Sequence, residues 1–221
     1  MRTSASWAWP TLSRESAKPH SSAEPPIFWV VGGPNGSGKS SFYQTLEFES
    51  SARSIWIINP DLLTVRIQQV EGLELLAANL QAVKRIETWL DVSIRAHQTV
   101  GVETVLSTDK YRPLVLAAKA LQFTVHLTYV ILDSPKRNIE RVRMRVKKGG
   151  HAVPEDKIVE RYARSLKQMP WFLEQADEAW LYDNSDTSPR VIGRKHKGVI
   201  TLEPDALPQI VAAVETIRTA E

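Results

Sequence analysis

Eight consecutive residues carry the clearest chemistry in this chain: Gly33-Pro34-Asn35-Gly36-Ser37-Gly38-Lys39-Ser40. Their spacing fits G-x-x-x-x-G-K-[ST], the Walker A phosphate-binding loop. Glycines let backbone N–H groups turn inward and approach an oxyanion closely. A helix that starts at the loop's end adds unpaired N–H groups and a partial positive charge. Lys39 can reach β- and γ-phosphates, and the Ser40 hydroxyl can ligate Mg²⁺, with Ser41 beside it. The flanks suit the motif. Ile27-Phe28-Trp29-Val30-Val31 is a short apolar β-type run, and Ser41 to Leu46 continues as a helix with Phe42 and Leu46 on one face. A glycine-rich surface turn would not need Lys-Ser at its exit. The expected ligands are ATP and Mg²⁺.

The rest of the pattern must position that loop. Short β-type runs alternate with longer helical patterns: strands at 54–58, 101–106, 124–132 and 179–182, a hairpin at 191–192 and 199–202, and helices between them. Such alternation implies parallel pairing around one core. A helix is predicted from Leu73 to about His97, with Leu73, Leu76, Leu80, Val83, Ile86, Leu90 and Ile94 as its buried stripe. Further helices are expected at 112–121, 135–147, 154–175 and 205–219. The predicted class is α/β, a P-loop NTPase-type three-layer fold with a mostly parallel sheet and a helical lid. Residues 1–26, rich in Ser, Pro and Ala, read as a flexible leader despite Trp7 and Trp9, and 27–221 as one domain.

Composition narrows the function. The chain has 221 residues, 43% of them hydrophobic, and a net charge of +3, which does not by itself argue for nucleic acid. It has no cysteine, so thiolate catalysis and zinc–thiolate sites are excluded. No run approaches the roughly 20 apolar residues that span a bilayer, and a cytoplasmic protein is the expectation. Transporter-type ATPases need an apolar strand ending in Asp-Glu and a Leu-Ser-Gly-Gly signature; here the strand ends Leu132-Asp133-Ser134 and the signature is missing. No Asn-Lys-x-Asp base reader of GTPases occurs. The small kinases remain, and they need an acceptor site, a base and mobile cations.

Each has a candidate. Asp61 lies just past the second strand, where the carboxyl ends of parallel strands form a ligand crevice. Its carboxylate can accept a proton from an attacking hydroxyl or hold a water on Mg²⁺; the plain alternative is a helix N-cap. Glu103, Thr104 and Ser107 lie in or after the third strand. Glu103 and Thr104 point to opposite faces unless the strand ends there. The densest charge cluster is 136–148. Read as a helix, it buries Ile139, Val142 and Val146 and sets Arg137, Arg141 and Arg145 on another face. Gly149-Gly150-His151 breaks it, and a second basic helix with Arg161 and Arg164 follows. Together they form a lid over about 136–165. One or two of Arg141, Arg145 and Arg161 are expected to face the transferring phosphoryl group; the others are a solvated face. A nucleic-acid partner is disfavoured because no aromatic residue interleaves the basic ones.

This set of segments resembles the zeta-toxin-like phosphate-loop kinases. The residues that carry the likeness are Gly32 to Ser40, Ile58-Asn59-Pro60-Asp61, Glu103-Thr104-Val105-Leu106-Ser107, Arg141 to Val146 with Gly149 to Pro154, Arg161 to Leu166, and Tyr182-Asp183-Asn184-Ser185. Val105 stands where the family has a second Thr. The resemblance implies an ATP-dependent phosphotransferase acting on a hydroxyl of a small metabolite, UDP-N-acetylglucosamine or another nucleotide sugar, and an antitoxin as protein partner. It implies that Asp61 is the base and that Arg145 and Arg161 steady the γ-phosphate. Two alternatives stand beside it: a nucleotide-binding switch with slow hydrolysis, and a polynucleotide 5′-hydroxyl kinase.

Overall fold

The computed structural model describes residues 24–45, 56–150 and 152–219. Leu46, Ser54, Ile55, His151 and most of the expected leader lie outside these residues. Five strands run parallel: β1 (Ile27–Gly32), β2 (Trp56–Ile58), β3 (Val100–Thr104), β4 (Thr124–Ile131) and β5 (Glu178–Asp183). The antiparallel β6 (Arg190–His196) and β7 (Val199–Leu202) extend the sheet, in the order β2-β3-β1-β4-β5-β6-β7. Among the described residues there are seven helices: α1 (Lys39–Thr45), α2 (Pro60–Glu71), α3 (Leu75–Arg95), α4 (Arg112–Ala120), α5 (Pro135–Lys147), α6 (Glu155–Gln175) and α7 (Pro208–Arg218). The expected α/β class with a mostly parallel sheet is what folds.

Period-two alternation explains the core. Phe28 and Val30, Val100 and Val102, Val125, Leu127 and Tyr129, and Ala179 and Leu181 point to one face. There they meet Ile86, Leu90 and Ile94 of α3, Val115 of α4, Met169 and Phe172 of α6, and Ile210 and Val214 of α7. The opposite face is aromatic. Trp29 stacks on Trp180, with His126 edge-on to both, and Phe42 of α1 meets Tyr182 with ring centroids 4.4 Å apart. Register then assembles the site. Val31 pairs with Glu103 and Gly32 with Thr104, so the loop leaves β1 level with the end of β3.

Two helical stripes differ from expectation. The predicted helix from Leu73 to about His97 is α3, which begins at Leu75; α2 precedes it and ends at Gly72 in the left-handed region (φ 66°). At the start of α3 the buried residues are Ala78 and Ala82, while Leu76 is 74% and Leu80 57% exposed. Ala78 and Ala82 pack on Ile67 of α2, with Leu63 and Leu73 alongside. Close helix approach needs small side chains, so the alanines face in and the leucines turn out. In α5 the buried pair is Asn138 and Val142; Val146 is exposed and Ile139 half-buried. The reason is what α5 packs against, described below.

The α3 phase is testable. Ala82→Leu is expected to destabilise by about 1–3 kcal/mol through overpacking, whereas Leu76→Gln stays within about 0.5 kcal/mol. Urea unfolding of both variants against wild type reads the difference.

Candidate active site

The loop and helix α1 form the floor of a cavity of about 910 Å³. Asn35, Gly36, Gly38, Lys39, Ser40 and Ser41 face it; Gly33, Pro34 and Ser37 lie behind, buried, and shape the turn. Gly33 has φ 142°, and a Cβ there would collide with the Val130 carbonyl. Gly38 has φ 92°, and a Cβ would strike the Asn184 amide. Both positions therefore need glycine for conformation and for space.

Lys39 is 6% exposed. Its ammonium donates to the Gly33 carbonyl (2.7 Å) and the Pro34 carbonyl (3.0 Å) and lies 4.0 Å from Glu103. Burial pushes its pKa down; Glu103 and Asp61 pull it back up, and Arg145 lowers it further. Lys39, Asp61, Glu103 and Arg145 thus share one electrostatic neighbourhood.

On one wall, Ser40 Oγ donates to the Glu103 carboxylate (2.9 Å to Oε2). Asn59 Nδ2 donates to the same carboxylate at 2.7 Å and to Ser40 Oγ at 3.2 Å. Asn59 is also the N-cap of α2: its Oδ1 accepts from the N–H groups of Asp61 (2.8 Å) and Leu62 (3.2 Å). Pro60 follows at N1. The alternative reading of Asp61 as the cap is therefore corrected: Asn59 does that work, and the Asp61 carboxylate lines the cavity. β3 ends at Thr104, so Glu103 and Thr104 both reach the cavity. The Thr104 hydroxyl accepts from the Leu106 N–H, and Leu106 turns the chain at φ 56°, with Ser107 on the wall beyond.

The opposite wall is basic. Arg141, Arg145, Lys148, Arg161 and Arg164 line the cavity, as does Lys110, which pairs with Glu87 at 3.3 Å. The cavity is thus lined by seven Lys or Arg residues, counting Lys39, against two carboxylates, Asp61 and Glu103. Tyr162 of α6 donates to the Leu132 carbonyl at 2.8 Å, which anchors α6 over the end of β4 and places Arg161 near Asn35 (Nη1 to Oδ1, 3.4 Å). Gly150 leaves room for the Arg145 side chain, which a Cβ would displace. Arg143 points away and pairs with Glu155 at 2.6 Å. Burial pushes the phenol of Tyr111, which lines the cavity, up to about 12.

Sequence reasoning gave no role to three asparagines. Asn59 links α2 to Ser40 and Glu103. Asn138, fully buried, donates to the Asn35 carbonyl at 2.6 Å, which is why α5 buries an amide against the loop. Asn184 donates to the Ser37 carbonyl at 2.8 Å, and its own carbonyl accepts from Arg141 at 2.6 Å. Asn followed by Pro at a strand end is a cap signature that could have flagged Asn59; the other two act across more than 100 residues and leave no local trace.

The zeta toxin family matches residues 12–188, most of the chain. The chain belongs to the zeta toxin family. It is a phosphotransferase of the kinase type, as that family and the loop chemistry together require. An uncharacterised protein of Haemophilus influenzae is 30% identical over 130 residues, 59% of this chain and 88% of that protein. Among solved structures, a chain of the AvrRxo1-ORF1:AvrRxo1-ORF2 complex with sulphate ions matches with a TM-score of 0.62 at 14% identity. The match covers 87% of this zeta-family chain and 63% of that one, less than two thirds of its length. The same pair crystallised with ATP gives 0.61. A structure from the PezAT chromosomal toxin–antitoxin system of Streptococcus pneumoniae gives 0.59 at 17% identity, covering 90% and 87%. At these identities the likeness is one of fold. Among the described residues no helix is long and apolar enough to cross a membrane.

The buried lysine has a pH consequence. With its folded pKa below the unfolded value of 10.5, Lys39 binds fewer protons in the folded state through that window. Its contribution to stability therefore rises with pH. Wild type is expected to gain stability relative to Lys39→Met as pH climbs from the lowered folded pKa towards 10.5. Paired urea unfolding from pH 7 to 10 checks the sign.

Proposed function

We propose that this chain transfers the γ-phosphate of ATP to a hydroxyl of a small anionic metabolite, a nucleotide sugar such as UDP-N-acetylglucosamine. The observation that carries the reading is that Asp61 and a cluster of cations line one cavity together with the phosphate loop. A kinase needs a proton acceptor on one side of the transferring group and positive charge around it. Lys110 pairs with Glu87 and Arg164 with Glu160, and the other lining cations still outnumber the two carboxylates, which suits substrates that carry phosphate.

The residues suit ATP and Mg²⁺. Gly33, Gly36 and Gly38 take the positive φ that a loop wrapping an anion uses, and Lys39 sits at the loop's end. Mg²⁺ is held through one or two protein oxygens plus phosphates; Ser40 Oγ supplies one, because its proton goes to Glu103 and a lone pair is left over. Mg²⁺ would neutralise charge on the β- and γ-oxygens. In this reading Asp61 takes the acceptor proton, Glu103, Thr104 and Ser107 hold the acceptor, and Arg145 and Arg161 stabilise the transferring phosphoryl group. Residues 27–221 form the kinase domain behind a leader at 1–26, with 136–165 as a lid turning on Gly149, which has φ 84°. The toxin–antitoxin context of the PezAT relative supports an antitoxin partner, and ATP consumption supports a cytoplasmic site of action.

A screen of metabolite extracts with γ-labelled ATP tests the proposal. Labelling of a nucleotide-sugar fraction is expected; slow acceptor-independent hydrolysis alone would point to a switch, and labelled 5′-hydroxyl oligonucleotides to a polynucleotide kinase. Asp61→Asn should lower turnover by roughly 10² or more with ATP affinity little changed, since Asn59 still caps α2. Isothermal titration and initial rates on one preparation separate the two quantities.

The arginines give an internal comparison. Arg145→Ala and Arg161→Ala should each reduce kcat far more than they raise KM for ATP, because charge spreads over the γ-phosphoryl oxygens in the transition state. Arg143→Ala should cost little. Equal, small losses at all three would reduce this wall to a solvated basic face.

A further inference from the structure

Asn59 has no role in the scheme above beyond starting a helix. Its hydrogen bonds say more. The side-chain oxygen accepts from two N–H groups of α2, which fixes the orientation of the amide. The nitrogen is thereby turned the other way, onto Glu103 Oε2 and Ser40 Oγ. One flat group joins the first turn of the helix that carries Asp61 to the serine at the loop's end and to the carboxylate facing Lys39.

Few residues can do both jobs. Ser, Asp and Asn cap helices about equally well. Asp has no donor at all when ionised, and the single hydroxyl of Ser sits on a shorter arm. Asn alone among them accepts on one side while donating two hydrogens on the other. Capping explains the oxygen; it does not explain a 2.7 Å bond from the nitrogen to a carboxylate 44 residues away.

We infer that Asn59 is a positioning residue that sets the Asp61 carboxylate relative to the Ser40–Glu103 pair, and so ties the placement of the base to the metal-holding end of the phosphate loop. The inference rests on the kinase reading, in which Ser40 ligates Mg²⁺ and Asp61 accepts the proton. It adds a direction of coupling. Whatever draws Ser40 towards a cation reaches Glu103 and Asn59 through three shared hydrogen bonds, and reaches α2 through the cap. Proximity alone has large leverage, since misplacement by about 1 Å can cost on the order of 10² in rate.

The test uses Asn59→Asp in the full chain. The cap is kept, so α2 should still form, and any fall in the thermal midpoint reflects the new charge facing Glu103. The donor is replaced by a second carboxylate against Glu103. Turnover should fall about tenfold or more, and the Mg²⁺ concentration that half-saturates binding of a fluorescent ATP analogue should shift at least threefold. Binding of the analogue without Mg²⁺ should be little changed. Asn59→Ser, which keeps the cap and adds no charge, should also lose turnover at an unchanged midpoint. Wild-type turnover in both variants, an unchanged Mg²⁺ dependence in Asn59→Asp, or a loss of rate in Asn59→Ser matched by a loss of thermal stability would each overturn the inference and leave Asn59 a cap. If wild type itself transfers no phosphate to any acceptor, the kinase reading falls instead, while the Mg²⁺ dependence of analogue binding still decides on Asn59.

Discussion

A loop that offers its backbone amides to an anion cannot use those amides to hold itself in shape. The constraint has to come from outside, and here it comes from carbonyl groups gripped by neighbours. Asn138 holds the Asn35 carbonyl from α5, and Asn184 holds the Ser37 carbonyl from the end of β5. Lys39 closes the turn on the carbonyls of Gly33 and Pro34. The carbonyls of Gly33, Pro34, Asn35 and Ser37 are thus all engaged, that of Pro34 also by the Ser37 N–H inside the turn at 3.3 Å. Glycine is needed where these grips come closest, because any side chain would push them off.

That arrangement constrains the basic helix pair as well. The first half of α5 is bound to the loop by Asn138 and Val142, the latter close enough to Gly36 that a Cβ there would meet it. Arg141 is fastened to the Asn184 carbonyl. A movement of these helices over a substrate has to leave that half in place. It can involve the second half of α5, where Arg145 lies, and the turn through Gly149. Arg161, by contrast, rides on α6, which Tyr162 ties to the strand end.

Much of this was legible from sequence because it is local. The phosphate loop is a contiguous string, and the alternation of strands and helices announces a parallel sheet. Asp61 was placed by the rule that ligands sit at strand carboxyl ends, and that position it holds. What escaped was set by partners remote in sequence. Asn138 looks like one more polar residue in a basic run, and its burial follows from a carbonyl 103 residues away. The stripe of α3 was misjudged for a related reason: counting the largest apolar residues favours Leu76 and Leu80, but the helix beside it admits only Ala78 and Ala82. Periodicity identifies a helix well and its inward face less well, because the face depends on the neighbour's distance.

The hairpin at the sheet's far end looks peripheral, yet Arg190 at the start of β6 reaches back to Asp183 at 3.0 Å, and Asp183 is nearly buried. The other oxygen of that carboxylate accepts from the Ser185 N–H. Asn184, which grips the phosphate loop, sits between these two braced residues. The family match stops at residue 188, two positions short of Arg190. A domain trimmed at residue 188 would keep every residue of the cavity and lose the outer strut that steadies one wall of it.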